Sequence, residues 1–581
     1  MNRSEEEPEN RSETVARGTP GPAPGSAHGA DFLHLDRREA PAGGLADWLT
    51  HRLRAAVADG RLPVGGRLPA GRTLAADLGV SRGVVTEAYR RLTEDGHLAG
   101  DGRRGTVVVA APVRPPAPIP TGPDTAPRRI PDGLFVPDPG AGAHDALRAV
   151  PARVDLTPGT PDLAAFPRTA WLRAERAVLA DLPAAVLGYG DPRGTAALRT
   201  AVAGWVGRTR GIAVDPEAVL VVSGTAQALG LLAEVLRARG IDRVAVENPG
   251  SMGVRQVLRG RGLDTPPIPV DAEGADIDAL RADGARAVLL TPAHQFPTGV
   301  VLGGDRRRAL MRWAEETDGL IVEDDYDAEH RWDRPPVPAL RALLPERVHH
   351  LGSLSKTLAP GLRIGWLIAP PALRPALVEA KRLADLGTSV PPQLVVAHLM
   401  ESGALERHLR FLRARHRRRR DAMITALAEH LPGGTVHGAA AGLHLTVTFA
   451  TGDDLRAATA ALEAGVRVHP LSWHVSPNTR GSHRPGLVLG YAAHPPGAIA
   501  EGVALLGGAV RGLLGPSRGT FPGEPVAGRR AGDRSRPSGI RGLRPDAPAG
   551  GPAGGVRADP ADPGDPGDTP GGRVPGAIHR G

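Results

Sequence analysis

The 581-residue sequence predicts a multidomain chain in which a small α+β unit near the N-terminus precedes a large α/β domain. Three observations carry this expectation. Between residues 41 and 110, three short helical patterns are followed by a β-branched run. Between residues 153 and 514, short aliphatic runs alternate with helical stretches. Outside those windows the chain is rich in Gly and Pro and poor in aliphatic clusters, and the totals of 76 Gly and 58 Pro exceed ordinary usage. No internal repeat is visible.

Residues 1–40 mix Glu, Pro, Gly and Ser without periodicity and are expected to be a disordered leader. In the first unit, Trp48, Leu49, Leu53, Ala56 and Val57 recur at helical spacing, and Gly60 closes that helix. A short second helix carries Leu74, Ala75 and Leu78 and stops at Gly79. Ser81 stands as the N-cap of a third helix with Val84, Val85, Ala88, Tyr89 and Leu92 on one face. The turn Leu78-Gly79-Val80-Ser81 has helix–turn–helix spacing. Gly96-His97-Leu98, the tip Gly100-Asp101-Gly102-Arg103-Arg104-Gly105 and the run 106–109 then predict a hairpin, which in this position is a wing.

Residues 45–110 hold ten arginines against seven acidic residues, a small excess, but its placement matters more than its size. Arg72, Arg82, Arg103 and Arg104 fall at the starts of helices two and three and at the wing tip, where a duplex backbone would pass. The unit resembles the GntR type of bacterial regulators in Leu68-Pro69-Ala70-Gly71-Arg72-Thr73-Leu74-Ala75, Leu78-Gly79-Val80-Ser81-Arg82 and Glu87-Ala88-Tyr89-Arg90-Arg91-Leu92. That resemblance implies double-stranded promoter or operator DNA as a partner, with Arg72, Ser81, Arg82, Arg103 and Arg104 as DNA-binding residues. The chain has Gly83-Val84 where members often carry Asn-Thr. Residues 111–152, loaded with Pro, Gly and Ala, read as an extended linker.

In the large unit the runs 219–222, 244–246, 287–290, 320–322 and 364–368 are short and mostly continuous, as strands buried on both faces are. A mainly parallel, helix-covered sheet is expected, with its chemistry at the strand ends. The first run leads into Ser223-Gly224-Thr225-Ala226-Gln227 and a helix N-terminus, a phosphate-type turn. The third leads into Thr291-Pro292-Ala293-His294-Gln295-Phe296-Pro297-Thr298-Gly299. The fourth leads into Glu323-Asp324-Asp325-Tyr326, and a later stretch carries Gly352-Ser353-Leu354-Ser355-Lys356, with Arg363 seven residues on.

Lys356 stands out. Lys and Arg together number 71, yet only Lys356 and Lys381 are lysines, which leaves 69 arginines. Arginine cannot deprotonate or form an imine, so a retained lysine invites a chemical reason. An amine, a carboxylate, a phenol, two hydroxyls, an arginine and a phosphate-type turn together meet the needs of pyridoxal 5′-phosphate.

The stretch from about 153 to 514 resembles the fold type I aminotransferases. With the winged unit in front, the chain resembles the MocR subfamily of GntR-type regulators. Further motifs that carry the resemblance are Phe166-Pro167 with Trp171, Tyr189-Gly190-Asp191-Pro192-Arg193-Gly194, Glu247-Asn248-Pro249-Gly250 and Leu489-Gly490-Tyr491. The resemblance implies that Lys356 forms the Schiff base, Asp324 pairs with the pyridinium nitrogen and Tyr326 hydrogen-bonds the ring hydroxyl. Gly224, Thr225, Ala226, Ser353, Ser355 and Arg363 would surround the phosphate. Two departures stand out: Phe296 where the enzymes carry an asparagine, and Ser251 where many regulators carry an aromatic residue.

The same resemblance implies a homodimeric, PLP-dependent transcription regulator that senses the cofactor or a small amine or amino-acid effector. The alternatives are a working aminotransferase with a DNA-binding arm, and a scaffold that has lost its cofactor. His294 is expected to serve a structural hydrogen bond, and the arginine run 413–420 a solvated helix face. Arg467 and Arg484 are plausible partners for a ligand carboxylate, and neither is assigned a site. The absence of cysteine excludes disulfides and thiolate metal sites. The acidic polar start has no apolar h-region, so a soluble cytoplasmic bacterial protein is expected. The net charge of +8 permits a polyanionic partner without demanding one. Residues 515–581, rich in Gly, Pro, Asp and Arg, are expected to form a disordered tail.

Overall fold

The three apolar periodicities of the first unit become α1 (Leu45–Ala58), α2 (Gly71–Asp77) and α3 (Arg82–Glu94). The computed structural model describes residues 35–41, 44–100, 105–109, 130–327, 329–331, 338–477, 479 and 483–515. The wing tip with Arg103 and Arg104 lies outside the described residues, as do most of the expected leader and tail. The wing strands are β1 (Leu98–Gly100) and β2 (Thr106–Val108), paired antiparallel with Leu98 opposite Val108. Leu49, Leu53, Leu74, Val85, Leu92 and Val108 form a shared core. Gly79, at φ +60°, makes the turn between α2 and α3, a conformation that glycine adopts without the Cβ penalty. Tyr89 Oη donates to the Pro69 carbonyl at 2.8 Å and ties α3 to the entry of α2.

Three expectations need correction around this unit. Ser81 does occupy the N-cap position of α3, but its hydroxyl accepts no capping hydrogen bond and the residue is exposed. The leader is ordered at its end, where Leu35 and Ala40 pack on the core and Arg37 donates to the Gly79 carbonyl at 2.5 Å. The stretch expected to be a linker contains α4 (Ala143–Ala149), with Leu147 fully buried beside Leu134, Met252 and Trp473. A seven-residue helix is too short to persist alone, so the apolar niche on the large domain is what orders it.

The large domain begins at β3 (Val154–Asp155) and is built on an eight-stranded sheet. Its strands are β4 (Val219–Val222), β5 (Ala245–Asn248), β6 (Pro267–Asp271), β7 (Gly274–Ala275), β8 (Ala287–Leu290), β9 (Leu320–Asp325), β10 (Val348–Ser353) and β11 (Gly365–Ile368). Their order is β4-β11-β10-β9-β8-β5-β6-β7. Strands β10, β9, β8, β5 and β6 are parallel, whereas β11 runs against both β10 and β4, and β7 is a hairpin partner of β6.

Helices cover both faces. They are α5 (Arg168–Ala180), α6 (Ala196–Arg210), α7 (Thr225–Ala238), α8 (Met252–Gly260), α9 (Ile277–Asp283), α10 (Gly304–Glu316), α11 (Arg374–Asp385), α12 (Val390–Glu401) and α13 (Ala404–His430). Alternation along β9 sends Leu320 and Val322 to the α7 and α11 side, and Ile321 to the side of α9 and α10.

A second, four-stranded sheet follows. Its region contains β12 (Thr435–His437), β13 (His444–Thr448), β14 (Thr451–Gly452), β15 (Val466–Arg467), β16 (His469–Pro470), β17 (Gly486–Gly490) and β18 (Leu514–Gly515), with the sheet order β12-β13-β17-β16. Strand β15 pairs parallel with β3 and joins the two ends of the domain. Helices α14 (Asp454–Glu463) and α15 (Pro496–Ala509) cover this sheet.

The arginine run in α13 is not the wholly solvated face that its composition suggests. Arg415, His416 and Arg419 are buried: Asp162 lies beneath the two arginines, its Oδ2 accepting from Arg415 Nε at 2.7 Å and from Arg419 Nη1 at 2.9 Å, and His416 packs against the His330 ring. Arg467 is likewise committed internally, to Asp155 at 2.6 Å and to the Arg148 and Val150 carbonyls.

Candidate functional site

The acidic run on β9 is divided by the two-residue period of the strand. Glu323, fully buried, accepts from the backbone amides of Leu340 and Arg341 at 2.9 and 3.2 Å. Asp325 accepts from Arg210, the last residue of α6, at 2.6 and 3.1 Å and lies 3.0 Å from His350 Nε2. Asp324 points the other way, into a cavity of about 260 Å³ that Tyr326, Lys356, Thr291 and Phe296 also line. Its Oδ1 is buried without a hydrogen-bond partner. Burial, reinforced by Asp325 and Asp327 and opposed by Lys356, lifts its pKa to about 7.

Lys356 follows β10 and donates from Nζ to the Gly159 carbonyl. Desolvation depresses its pKa below the usual lysine range, against the pull of Asp327 and Asp324. A depressed amine is a better nucleophile at neutral pH. Lys381 is fully buried in α11, bonded to Asp385 at 2.5 and 2.6 Å and to Thr388 at 3.1 Å, and does not reach the cavity.

Tyr326 Oη donates to the His294 carbonyl at 3.2 Å and lies 3.2 Å from His294 Nδ1, which is 2.8 Å from Asp327 Oδ2. Burial, with Asp327 beside it, raises the phenol well above its ordinary pKa. His294 therefore does make structural hydrogen bonds, and they hold the phenol in place. His294, Asp327 and His444 each bring one potential donor atom within 4.8 Å of the others. The Nε2 of His444 already meets the Pro297 carbonyl at 3.1 Å.

A second cluster forms at adjacent strand ends. Ser353 on β10 is in register with Gly365 on β11, and Gly365 with Val222 on β4, which brings Ser353, Ser355, Arg363 and Gly224 to one edge. Ser353 Oγ donates to Ser355 Oγ at 2.8 Å, and Arg363 Nη2 donates to the Ser223 carbonyl. Gly224, at φ +84°, precedes α7, and a Cβ there would meet the Arg363 guanidinium at 3.2 Å. Thr225 and Ala226 form the first turn of that helix. A glycine turn, a helix N-terminus, two hydroxyls and an arginine suit a phosphate. These residues do not line the Lys356 cavity itself, but Ser353 and Ser355 stand three residues and one residue before Lys356 in the same segment.

Together the two clusters fit pyridoxal 5′-phosphate: a buried carboxylate oxygen awaiting a donor, a depressed amine, a held phenol and an anion cradle. A larger cavity of about 770 Å³ is lined by Tyr189, Asp191, Asp385 and Gln393. Neither Lys356 nor Asp324 reaches it, so the chemistry belongs to the smaller one.

Four histidines of the Lys356 cavity were not singled out from the sequence: His144, His444, His469 and His474. Burial lowers all four, His444 to about 3, so they are neutral at pH 7. They come from α4, β13, β16 and the turn after it, and no local pattern links them. Ser251 also lines the cavity, where its hydroxyl caps α8 by accepting from the Val254 amide at 3.3 Å. On the DNA-binding unit, Arg72, Ser81 and Arg82 are exposed at the starts of α2 and α3.

Residues 153–484 match the family described as aminotransferase class I and II, and residues 45–108 match the bacterial regulatory proteins of the gntR family. The chain is 33% identical over 447 residues to the HTH-type pyridoxine biosynthesis transcriptional regulator PdxR of Corynebacterium glutamicum, covering 77% of this chain and 91% of that protein. It is 32% identical to the probable rhizopine catabolism regulatory protein MocR of Rhizobium meliloti, covering 82% and 95%. Among solved structures, it is similar to the α-aminoadipate aminotransferase LysN of Thermus thermophilus, complexed with N-(5′-phosphopyridoxyl)-L-leucine. The identity there is 31% and the TM-score 0.57, with 64% of this chain and 94% of that one covered.

Proposed function

The chain belongs to the MocR subfamily of GntR-type transcription regulators, and on that premise we propose that it reads pyridoxal phosphate, or a small amine that reacts with it, at Lys356 and reports the result to DNA. The observation that carries this reading is the placement of Lys356 and Asp324 in one cavity of a chain that also has a winged helix–turn–helix. When bound, the cofactor supplies an aldehyde for amine capture and a protonated ring that withdraws electrons.

The positions of the protein's residues support the following proposed roles. Asp324 accepts from the ring nitrogen and keeps it protonated. Tyr326, held by His294, hydrogen-bonds the ring hydroxyl. Gly224, Thr225, Ala226, Ser353, Ser355 and Arg363 hold the phosphate. Arg72, Ser81 and Arg82 contact the duplex, together with Arg103 and Arg104 of the wing tip. The acting species is a homodimer: Leu187 and Tyr189 on one side of the larger cavity and Leu386 on the other are exposed, which suits an apolar contact between copies. No helix among the described residues is long and apolar enough to cross a membrane. A cytoplasmic site of action on the chromosome fits this reading.

The test is borohydride reduction of the protein with pyridoxal phosphate, followed by peptide mass spectrometry, with DNA retention measured in parallel. The adduct is expected on Lys356. An adduct on Lys381, or none, refutes the reading. A second reading, a working aminotransferase with a DNA-binding arm, is favoured by the likeness to LysN. Steady-state turnover of about 1–1000 per second with an amino donor and a keto acid would establish it. Phe296, which cannot offer the hydrogen bond of an asparagine amide, favours the sensor.

A further inference from the structure

Arg415 is buried in α13 between two partners that belong to different parts of the protein. Its Nε meets Asp162 at 2.7 Å, and its Nη1 donates to the Asp95 carbonyl at 2.8 Å. Asp95 is the C-cap of α3, the recognition helix, and its own carboxylate pairs with Arg54 of α1. The carbonyls at a helix C-terminus form the negative end of its dipole, and a desolvated guanidinium is well suited to meet them. The fit is close: a Cβ on Gly96, which has φ +73°, would fall 1.0 Å from Arg415 Nη1.

On its other side Arg415 is two short steps from Lys356. Asp162 closes the loop that contains Gly159, whose carbonyl accepts from Lys356 Nζ. The Nε2 of His408, on the same helix as Arg415, lies 3.0 Å from the Thr357 carbonyl, next to the lysine. The lysine loop thus meets α13 directly at His408 and, through the 159–162 loop, indirectly at Arg415.

We propose that Arg415 of α13, braced by Asp162 from the 159–162 loop, is a docking point for the C-terminal end of the recognition helix, and that engagement of Lys356 alters this docking. The second part rests on the reading that Lys356 takes the cofactor. When Nζ is engaged, it releases the Gly159 carbonyl, so the loop that fixes Asp162 loses one of its anchors. Asp162 and Arg415 then favour a different placement of α3. Coupling of this kind requires that the docked arrangement and its alternative differ in affinity for the cofactor.

The absence of cysteine makes the test clean, because Thr93→Cys and Arg418→Cys, both at exposed positions, take spin labels at those sites alone. The labelled full-length chain is compared with the same chain carrying Arg415→Lys, which keeps a charge opposite Asp162 but loses the planar fork. Arg419→Lys, which alters a second Asp162 contact without touching Asp95, serves as the control for folding. In the parent and the control, a narrow label distance is expected, with a shift on addition of pyridoxal phosphate and a change in DNA affinity of about 5- to 150-fold. In Arg415→Lys, the distance is expected to be broad and the change in DNA affinity to stay within about twofold, while the absorbance of bound cofactor is unaltered. An Arg415→Lys protein that keeps both the narrow distance and the parental response overturns the proposal. A parent without cofactor absorbance sinks the Lys356 reading instead, and the label distances without cofactor still decide whether Arg415 docks α3.

Discussion

Asp324→Asn separates the cost of the cofactor carboxylate from its use. Burial, with Asp325 and Asp327 adding repulsion and Lys356 opposing, raises the Asp324 pKa from its ordinary 3.8 to about 7. The folded state therefore binds this proton more tightly than the unfolded chain does. The associated stability is complete below pH 3.8, falls as the pH rises, and is gone above about 7. Between pH 5 and 8 this group alone withdraws roughly 2–3 kcal/mol. Asparagine preserves the volume and carries no charge. Without cofactor, the variant should therefore gain that amount on the parent as the pH rises through this interval. Glu329, also raised to about 7, acts alike in both proteins and cancels from the difference, whereas Glu247, raised to about 7, adds to the repulsion on Asp324 and so contributes to it.

Urea unfolding read by the buried Trp205, Trp313 and Trp366 would measure it. With saturating pyridoxal phosphate at pH 8 the order should reverse, because under the proposed role of Asp324 only the parent would pair a carboxylate with the ring nitrogen. A stability difference that stays constant within about 0.5 kcal/mol from pH 5 to 8 would refute the electrostatic argument.

Three further outcomes are expected. Arg210→Met strands the buried Asp325 carboxylate; burial raises that pKa, but Arg210 and His350 hold it below the usual range, so losing the arginine should cost about 3–5 kcal/mol by urea unfolding at pH 7. Gly224→Ala forces a Cβ into a left-handed conformation against Arg363, a cost of about 1–2 kcal/mol that should weaken cofactor binding about tenfold in a fluorescence titration while leaving DNA binding intact. Arg82→Ala should weaken retention of promoter DNA regardless of sequence and lower the slope of log affinity against log salt by about 1; an unchanged slope would remove Arg82 from the phosphate contacts.

The local features of the chain were legible because their physics is local. Apolar spacing set α1 and α3, continuous aliphatic runs marked β4, β5, β8, β9 and β11, and the rarity of lysine singled out Lys356. What the sequence could not decide was which partner lies against which face. The residues 143–149 look like part of a linker until Met252 and Trp473 offer their side chains a niche, and the arginines of α13 look solvated until Asp162 is placed under them. The four cavity histidines come from segments more than three hundred residues apart at their extremes, beyond the reach of any periodicity.

The acidic run shows the division most clearly. By itself the sequence determined that Glu323, Asp324 and Asp325 follow directly on the aliphatic run 320–322, where a strand would bring its chemistry. Only the tertiary structure decided their work, because Arg210 arrives from α6 to neutralise Asp325, the amides of Leu340 and Arg341 satisfy Glu323, and no such partner meets Asp324 Oδ1. A buried carboxylate takes its character from what surrounds it, and those surroundings are assembled from parts of the chain far away in sequence.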